Sequence, residues 1–154
     1  MSFETAQDAL NYIRGGNATV TLTSAKTGNH YTFKITKPSV ETEAGGKKRD
    51  HDADIFFVSG LHGNPDAHDD WHFVGYFFAY GDVLRQSKKA FLARTPITAG
   101  FAAFAWALKH LVAGSIPSAL TLQHEGSCCR CGRTLTHPES LARGIGPECV
   151  KHFV

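Results

Sequence analysis

His124-Glu125-Gly126-Ser127-Cys128-Cys129-Arg130-Cys131-Gly132-Arg133, followed further on by Gly144-Ile145-Gly146-Pro147-Glu148-Cys149, holds all four cysteines of the 154-residue chain. Cys128 and Cys131 form a C-x-x-C knuckle, and Cys149 stands alone beyond it. Thiolates gathered near an imidazole are what a tetrahedral Zn²⁺ site requires. Glycine at 132 relieves the positive φ of a knuckle turn, in which backbone amides can point at the sulfurs. Pro147 is suited to the first turn of a short helix over 148–153, which would place Cys149 where the helix start favours a thiolate. A knuckle plus a ligand at a helix start is a treble-clef layout. Residues 121–154 are too few to hold a core of their own, so the metal would have to fold them, with one structural Zn²⁺ per chain.

Three sulfurs leave a fourth position to fill. His124 ends the incoming strand four residues before Cys128, and His152 follows Cys149 in a C-x-x-H spacing. Cys129 adjoins the knuckle and must point away from the metal, while His137 lies in mid-loop. Spacing leans towards His152 and leaves His124 open.

Outward from this tail, residues 1–120 read as an α+β body. Phe3, Ala6, Leu10 and Ile13 recur at helical spacing before Gly15-Gly16, which predicts an amphipathic helix over 3–14. Residues 18–24 and 30–36 alternate in period two around the turn Lys26-Thr27-Gly28-Asn29, the pattern of a β-hairpin. Residues 37–52 are polar and read as loop. A buried strand is expected over 53–61, and a second hairpin from 72–80 and 83–87, turning at Gly81-Asp82. Thr95-Pro96 reads as an N-cap and first helical residue, opening a helix to about Val112 with Gly114 after it. Phe101, Phe104, Leu108 and Leu111 form the face that should cover the sheet. A last strand over 118–123 feeds the knuckle. The expected fold is therefore a mainly antiparallel sheet packed with one long helix and an N-terminal helix, plus a small treble-clef-like zinc module.

Composition sets limits on function. Apolar residues make up 42% and charged residues 19%, enough for a buried core and unlike a disordered tail. The first residues lack a basic flank and an apolar run, so no signal peptide is read, and the longest apolar stretch is too short for a bilayer. A cytosolic setting is expected, with no membrane partner, and there clustered cysteines read as metal ligands rather than disulfides. The net charge of +2 is unevenly spread. Residues 1–80 carry seven Lys/Arg against ten Asp/Glu, while residues 81–113 carry Arg85, Lys88, Lys89, Arg94 and Lys109 against Asp82 alone. A basic middle segment is what a polyanion partner would need, although a run this short also fits a solvated face.

The run Cys128-x-x-Cys131-Gly132-Arg133-x-Leu135-Thr136-x-Pro138-Glu139-Ser140-x-x-x-Gly144-Ile145-Gly146-Pro147-x-Cys149 resembles the C-terminal motif of a family of uncharacterised proteins found in bacteriophages, prophages and plasmids. Asn17 to Leu22, Thr27-Gly28 with Tyr31-Thr32-Phe33, and Val74-Gly75-Tyr76 are similar to its body. The resemblance implies a mobile element in a bacterial host cell, and a zinc site. It also implies His124 as the fourth ligand, because similar members carry a histidine before the knuckle. Where His137 stands, the family often has an acidic residue. No activity is implied.

Arg130, Arg133 and Arg143, with Lys88, Lys89 and Arg94, are candidate phosphate contacts. Arg133 has a second reading as the partner of Glu139, with Ser140 capping a turn, locking the loop around the metal. A catalytic zinc held by Cys128, Cys131 and Cys149, with Glu148 or Glu125 as base, is the weaker reading, since cysteine-rich sites more often close. The loop from His62 to His72, with its aspartates and with His51-Asp52 before the strand, could bind a divalent ion for hydrolysis, but its histidines keep no ligand period and a polar connection is the simpler reading. Phe56, Phe57, Phe73, Tyr76, Phe77, Phe78 and Tyr80 could offer a stacking platform for bases on an exposed sheet face, but such residues are more often core under a covering helix; Phe57, Phe73 and Phe77 are expected there, and Trp71 at the surface. No P-loop, nucleophile elbow or dinucleotide fingerprint is present, and no small-molecule substrate suggests itself. The expected function is a non-enzymatic, zinc-containing DNA- or RNA-binding accessory protein. The alternative is a protein-binding inhibitor of a host defence complex, acting by occlusion.

Overall fold

The period-two pattern of residues 17–36 produces the centre of the sheet. In the computed structural model, which describes residues 2–86 and 98–152, Asn17–Ser24 (β1) pairs antiparallel with His30–Thr36 (β2). Ala18, Val20, Leu22, Phe33 and Ile35 point inward and are buried, while the threonines between them face outward. Ile55–Leu61 (β5) adds to β2, and Trp71–Phe78 (β6) adds to β5. Leu120–His124 (β7) closes the other side against β1, giving a five-stranded, wholly antiparallel sheet in the order β6-β5-β2-β1-β7.

The predicted loop 37–52 contains a second, two-stranded sheet, Ser39–Glu41 (β3) against Lys47–Arg49 (β4). Every residue of it is polar except Val40, so the pattern carries no apolar alternation. Its pairing comes from the turn between, where Gly45 adopts φ 83° and Thr42 exchanges bonds with Gly45 and Gly46. Glu41 stands opposite Lys47, an opposite-charge pair across the strands.

The first helix is shorter than expected. Ala6–Ile13 (α1) starts at Thr5, whose Oγ1 accepts from the Asp8 N–H at 3.1 Å, an N-cap bond. Phe3 stays outside the helix and donates its N–H to the Leu122 carbonyl, so its ring enters the core from a strand-like segment. Thr98–Val112 (α2) buries Phe104, Ala107, Leu108 and Leu111 against the sheet, with Phe101 partly buried beside them. The Ser115 N–H reaches the His110 carbonyl and the Gly114 N–H reaches Leu111, with Gly114 at φ 94°, a Schellman ending. Thr95-Pro96 lies outside the described residues. The expected second hairpin reduces, among the described residues, to a single bridge between Tyr76 and Arg85.

Both α1 and α2 lie on one face of the sheet, where Phe104 meets Phe33 and Phe77 at ring distances of 5.2 and 6.1 Å. Phe56 and Phe77 stack within the same layer, whereas Phe57 and Phe73, expected in the core, point to the opposite face. Phe73 is 40% exposed. Among the described residues no helix is long and apolar enough to cross a membrane.

Candidate metal centre

β7 delivers the chain to a tight knuckle. Ser127 bridges Thr134, the Cys128 N–H bonds the Arg133 carbonyl at 2.8 Å, and the Gly132 N–H returns to the Cys128 carbonyl at 2.9 Å. Gly132 takes φ 78°, which other residues adopt only with strain. The segment beyond was read as loop, but Pro138–Arg143 forms a short helix (α3) with proline in its first turn and Gly144 closing it at φ 72°. That turn sends Gly146 and Pro147 back over the knuckle, and a 3-10 turn over Cys149–His152 brings in the third sulfur.

The Sγ atoms of Cys128, Cys131 and Cys149 lie within 4.8 Å of one another, and they can hold a metal ion. Sulfurs on one tetrahedral ion stand about 3.8 Å apart, given metal–sulfur bonds of about 2.3 Å, so the spacing fits. Cys128 and Cys149 are buried and Cys131 is exposed. Burial by itself raises the Cys128 thiol, but the N–H groups of Cys131, Gly146 and Arg130 aimed at its sulfur outweigh this and lower it to about 7. The Gly146 N–H approaches that sulfur at 3.3 Å and the Arg130 N–H at 3.5 Å. Cys149 is pushed up to about 11, first by burial and then by the neighbouring thiols.

Cys129 points away from this cluster, as its crowding against the knuckle required. Its side chain is buried against Gly15, its N–H bonds the Gly144 carbonyl, and its own carbonyl accepts from Asn17 at 2.7 Å. Burial pushes its thiol up strongly.

His124, the expected fourth ligand, is not part of the sulfur cluster. Its Nδ1 accepts from the Gly126 N–H at 2.9 Å, which leaves Nε2 to carry the proton donated to the Leu141 carbonyl at 2.7 Å. A neutral imidazole committed in this way offers no lone pair to a metal. The ring sits instead between Phe3 and Tyr12, at 5.2 and 5.1 Å, and burial lowers its pKa. His124 thus ties β7 to α3 and α1. His152 and His137 both rim a cavity of about 670 Å³ that Cys128, Cys131 and Cys149 also line.

The arginines are divided. Arg130 and Arg133 line that cavity. Arg143 pairs with Glu139 at 2.9 Å, correcting the expected Arg133–Glu139 pair, because 139 and 143 are one turn apart on α3. Lys88, Lys89 and Arg94 lie outside the described residues. Lys37, a basic residue with no expected role, and His51, expected only beside the histidine and aspartate loop, stand near Arg130. Together with Asp52, Arg130 and His152, they line a second cavity of about 220 Å³ beside Gly15. Burial and the charges of Arg130, Lys37 and Arg49, in that order, lower the pKa of His51, a sign of locally positive potential. More than ninety positions separate Lys37 from Arg130, and no local pattern announces that they meet.

The loop 62–72 is a polar connection. Asp70 accepts from the Asn64 N–H, Asn64 accepts from the Asp66 N–H, and among the described residues its histidines and aspartates form no metal-binding group.

Residues 119–154 match a family of unknown function (DUF6011). The match covers the last strand and the whole sulfur cluster, and leaves the body outside it. No curated protein and no solved structure matches the chain.

Proposed function

We propose that this is a zinc-stabilised nucleic-acid-binding accessory protein, with a treble-clef-like module of one knuckle and one ligand-bearing helical turn. Zinc suits the donor set, since three clustered thiolates favour it over harder cations. We assign the fourth ligand to His152, whose ring lies outside the sulfur cluster but, among the described residues, is not committed to backbone partners as His124 is. His152 stands three residues after Cys149 in a 3-10 turn, where residues i and i+3 eclipse, and it rims the same cavity as the sulfurs. The role of the metal is structural, holding a segment that its own few apolar residues could not fold.

The observation that carries the nucleic-acid reading is the gathering of Arg130, Lys37 and His51 in one cavity at the edge of the cysteine cluster, which Asp52 also lines, with Arg133 nearby. Such a group can grip phosphate oxygens. The resemblance to phage and plasmid proteins suits an accessory factor of a mobile element. Fluorescence anisotropy with labelled single- and double-stranded oligonucleotides tests it. Affinity should fall steeply as salt rises, and Arg130→Ala or Lys37→Ala should each weaken binding and flatten the salt dependence by about one unit of slope.

The second reading, occlusion of a host protein complex, draws on Trp106, which is 46% exposed on α2 with His110 edge-on at 4.7 Å. Exposed tryptophans are favoured anchors of protein interfaces. Salt-insensitive failure to bind any oligonucleotide would turn the argument to that reading.

A further inference from the structure

The face of the sheet turned away from α1 and α2 carries a row of aromatic rings. In the register of β5 and β6, Phe57 stands opposite Tyr76, Ile55 opposite Phe78, and Leu61 opposite Trp71. Phe57 and Phe73 meet edge-on at 6.1 Å, and Tyr76 and Phe78 at 5.9 Å. Phe73 and Phe78 are 40% and 47% exposed.

Regular alternation would not produce this row. Phe73 and Tyr76 are three residues apart, so an unbroken strand would send them to opposite faces. The register shift beside Val58 and Ser59 takes Gly75 to Val58 but Phe73 to Ser59, which leaves Val74 as the extra residue. That bulge brings Trp71, Phe73, Tyr76 and Phe78 to one face.

Cations bracket the row. Thr19, Lys34, Ser59 and Phe73 follow one another across β1, β2, β5 and β6, and Lys34 holds its ammonium 4.2 Å from the centre of the Trp71 ring. One rung along, Thr36, Phe57, Tyr76 and Arg85 are in register, so the exposed Arg85 side chain shares the face of Tyr76. Neither rung contains a carboxylate. Asp66, from the loop 62–72, is the carboxylate that shares a cavity of about 340 Å³ with Lys34, Thr36, Ser59 and Trp71 at one end of the row.

We infer that this face binds single-stranded nucleic acid, bases stacking on Phe57, Phe73, Tyr76 and Phe78 while Lys34 and Arg85 meet the phosphates. Unpaired bases stack on aromatic rings with little sequence preference, and a duplex hides those faces. Threonine and serine hydroxyls between the rings supply hydrogen bonds to base edges. The inference rests on the nucleic-acid reading above but locates the contact on the sheet, apart from the cavity at Arg130.

The test uses the full-length, zinc-loaded protein and fluorescein-labelled dT12, U12 and a 12-base-pair duplex. Wild type should bind the single strands more tightly than the duplex. Phe73→Ala/Phe78→Ala should weaken single-strand binding at least about tenfold, with zinc content and far-UV circular dichroism unchanged, and Phe73→Tyr/Phe78→Tyr should retain it. Should the alanine pair fail to fold, Lys34→Gln/Arg85→Gln takes its place and should lower both affinity and salt dependence. Single-strand binding that survives these changes but is lost with Arg130→Ala/Lys37→Ala overturns the inference and leaves the earlier reading standing. If wild type binds none of the three probes, both fall.

Discussion

Gly15 and Cys129 show how closely single side chains govern the junction between body and tail. A Cβ on Gly15 would lie 2.3 Å from the Cys129 sulfur and 2.6 Å from its carbonyl oxygen. Gly15→Ala should therefore lower stability by about 1–3 kcal/mol in denaturant unfolding, the range for overpacked sites. Adding Cys129→Ala should recover only part, because the carbonyl stays in the way, and zinc content should stay at its wild-type level. That Cys129 turns from the metal was legible in its crowding with Cys128. The need for glycine at 15 was not, since its partner lies more than a hundred residues away.

His124 is the other residue whose role changed. Burial lowers its pKa below the ordinary 6.5, with the Leu141 carbonyl acting in the opposite sense. The folded state thus favours the neutral ring. Its contribution is complete above pH 6.5 and is lost as the pH falls through the lower, folded value. His51 shifts the same way, so wild type carries both contributions. His124→Gln should make the loss of melting temperature between pH 7 and 5 shallower than in wild type while metal content is retained. Equal slopes in the two proteins would contradict this assignment. A histidine before a knuckle reads as a ligand from sequence, and only its backbone partners, Gly126 and Leu141, show that it is an organising core residue.

At the scale of elements, legibility followed the strength of local patterns. The first hairpin was readable almost to the residue because Val20, Leu22, Phe33 and Ile35 alternate with threonines and a lysine around a glycine-bearing turn. The hairpin at 39–49 was missed because its strands are short, exposed and polar. α3 had a usable signal in Pro138 and Gly144, a proline in the first turn and a glycine after the last, but the motif read as a single metal loop masked it. The bulge at Val74 left no local signature, and it reversed the expected burial of Phe73. α1 begins at Thr5 rather than at Phe3 because the threonine hydroxyl caps the Asp8 N–H. Thr5→Ala should cost about 1 kcal/mol in chemical denaturation, a typical loss for an N-cap. Thr5→Asp should restore most of it.

Across the whole molecule, the tail shares its core with the body. Leu135, Ile145 and Cys128 belong to the same buried cluster as Tyr12, Val20 and Leu122. Gly144 lets the tail approach Tyr12 so closely that a Cβ there would stand 2.4 Å from the ring. The Tyr12 hydroxyl donates to the Thr19 carbonyl at 2.8 Å, anchoring that contact in the sheet. Loss of the metal should consequently be felt beyond residues 121–154. Chelation should lower the melting temperature of the entire protein and increase amide exchange in β7 and β1, the strands joined from Val20 to Ser24. Protection lost only after residue 124 would show a tail that folds apart from the body.

The most direct measurement is the zinc content of chelator-free, full-length protein by elemental analysis, compared with a Cys128→Ser/Cys131→Ser/Cys149→Ser variant. One zinc per chain in the first and none in the second, with a large fall in melting temperature, is the predicted result. Protein without stoichiometric zinc, or a triple variant that melts with the parent, would contradict a metal-organised carboxy-terminal module.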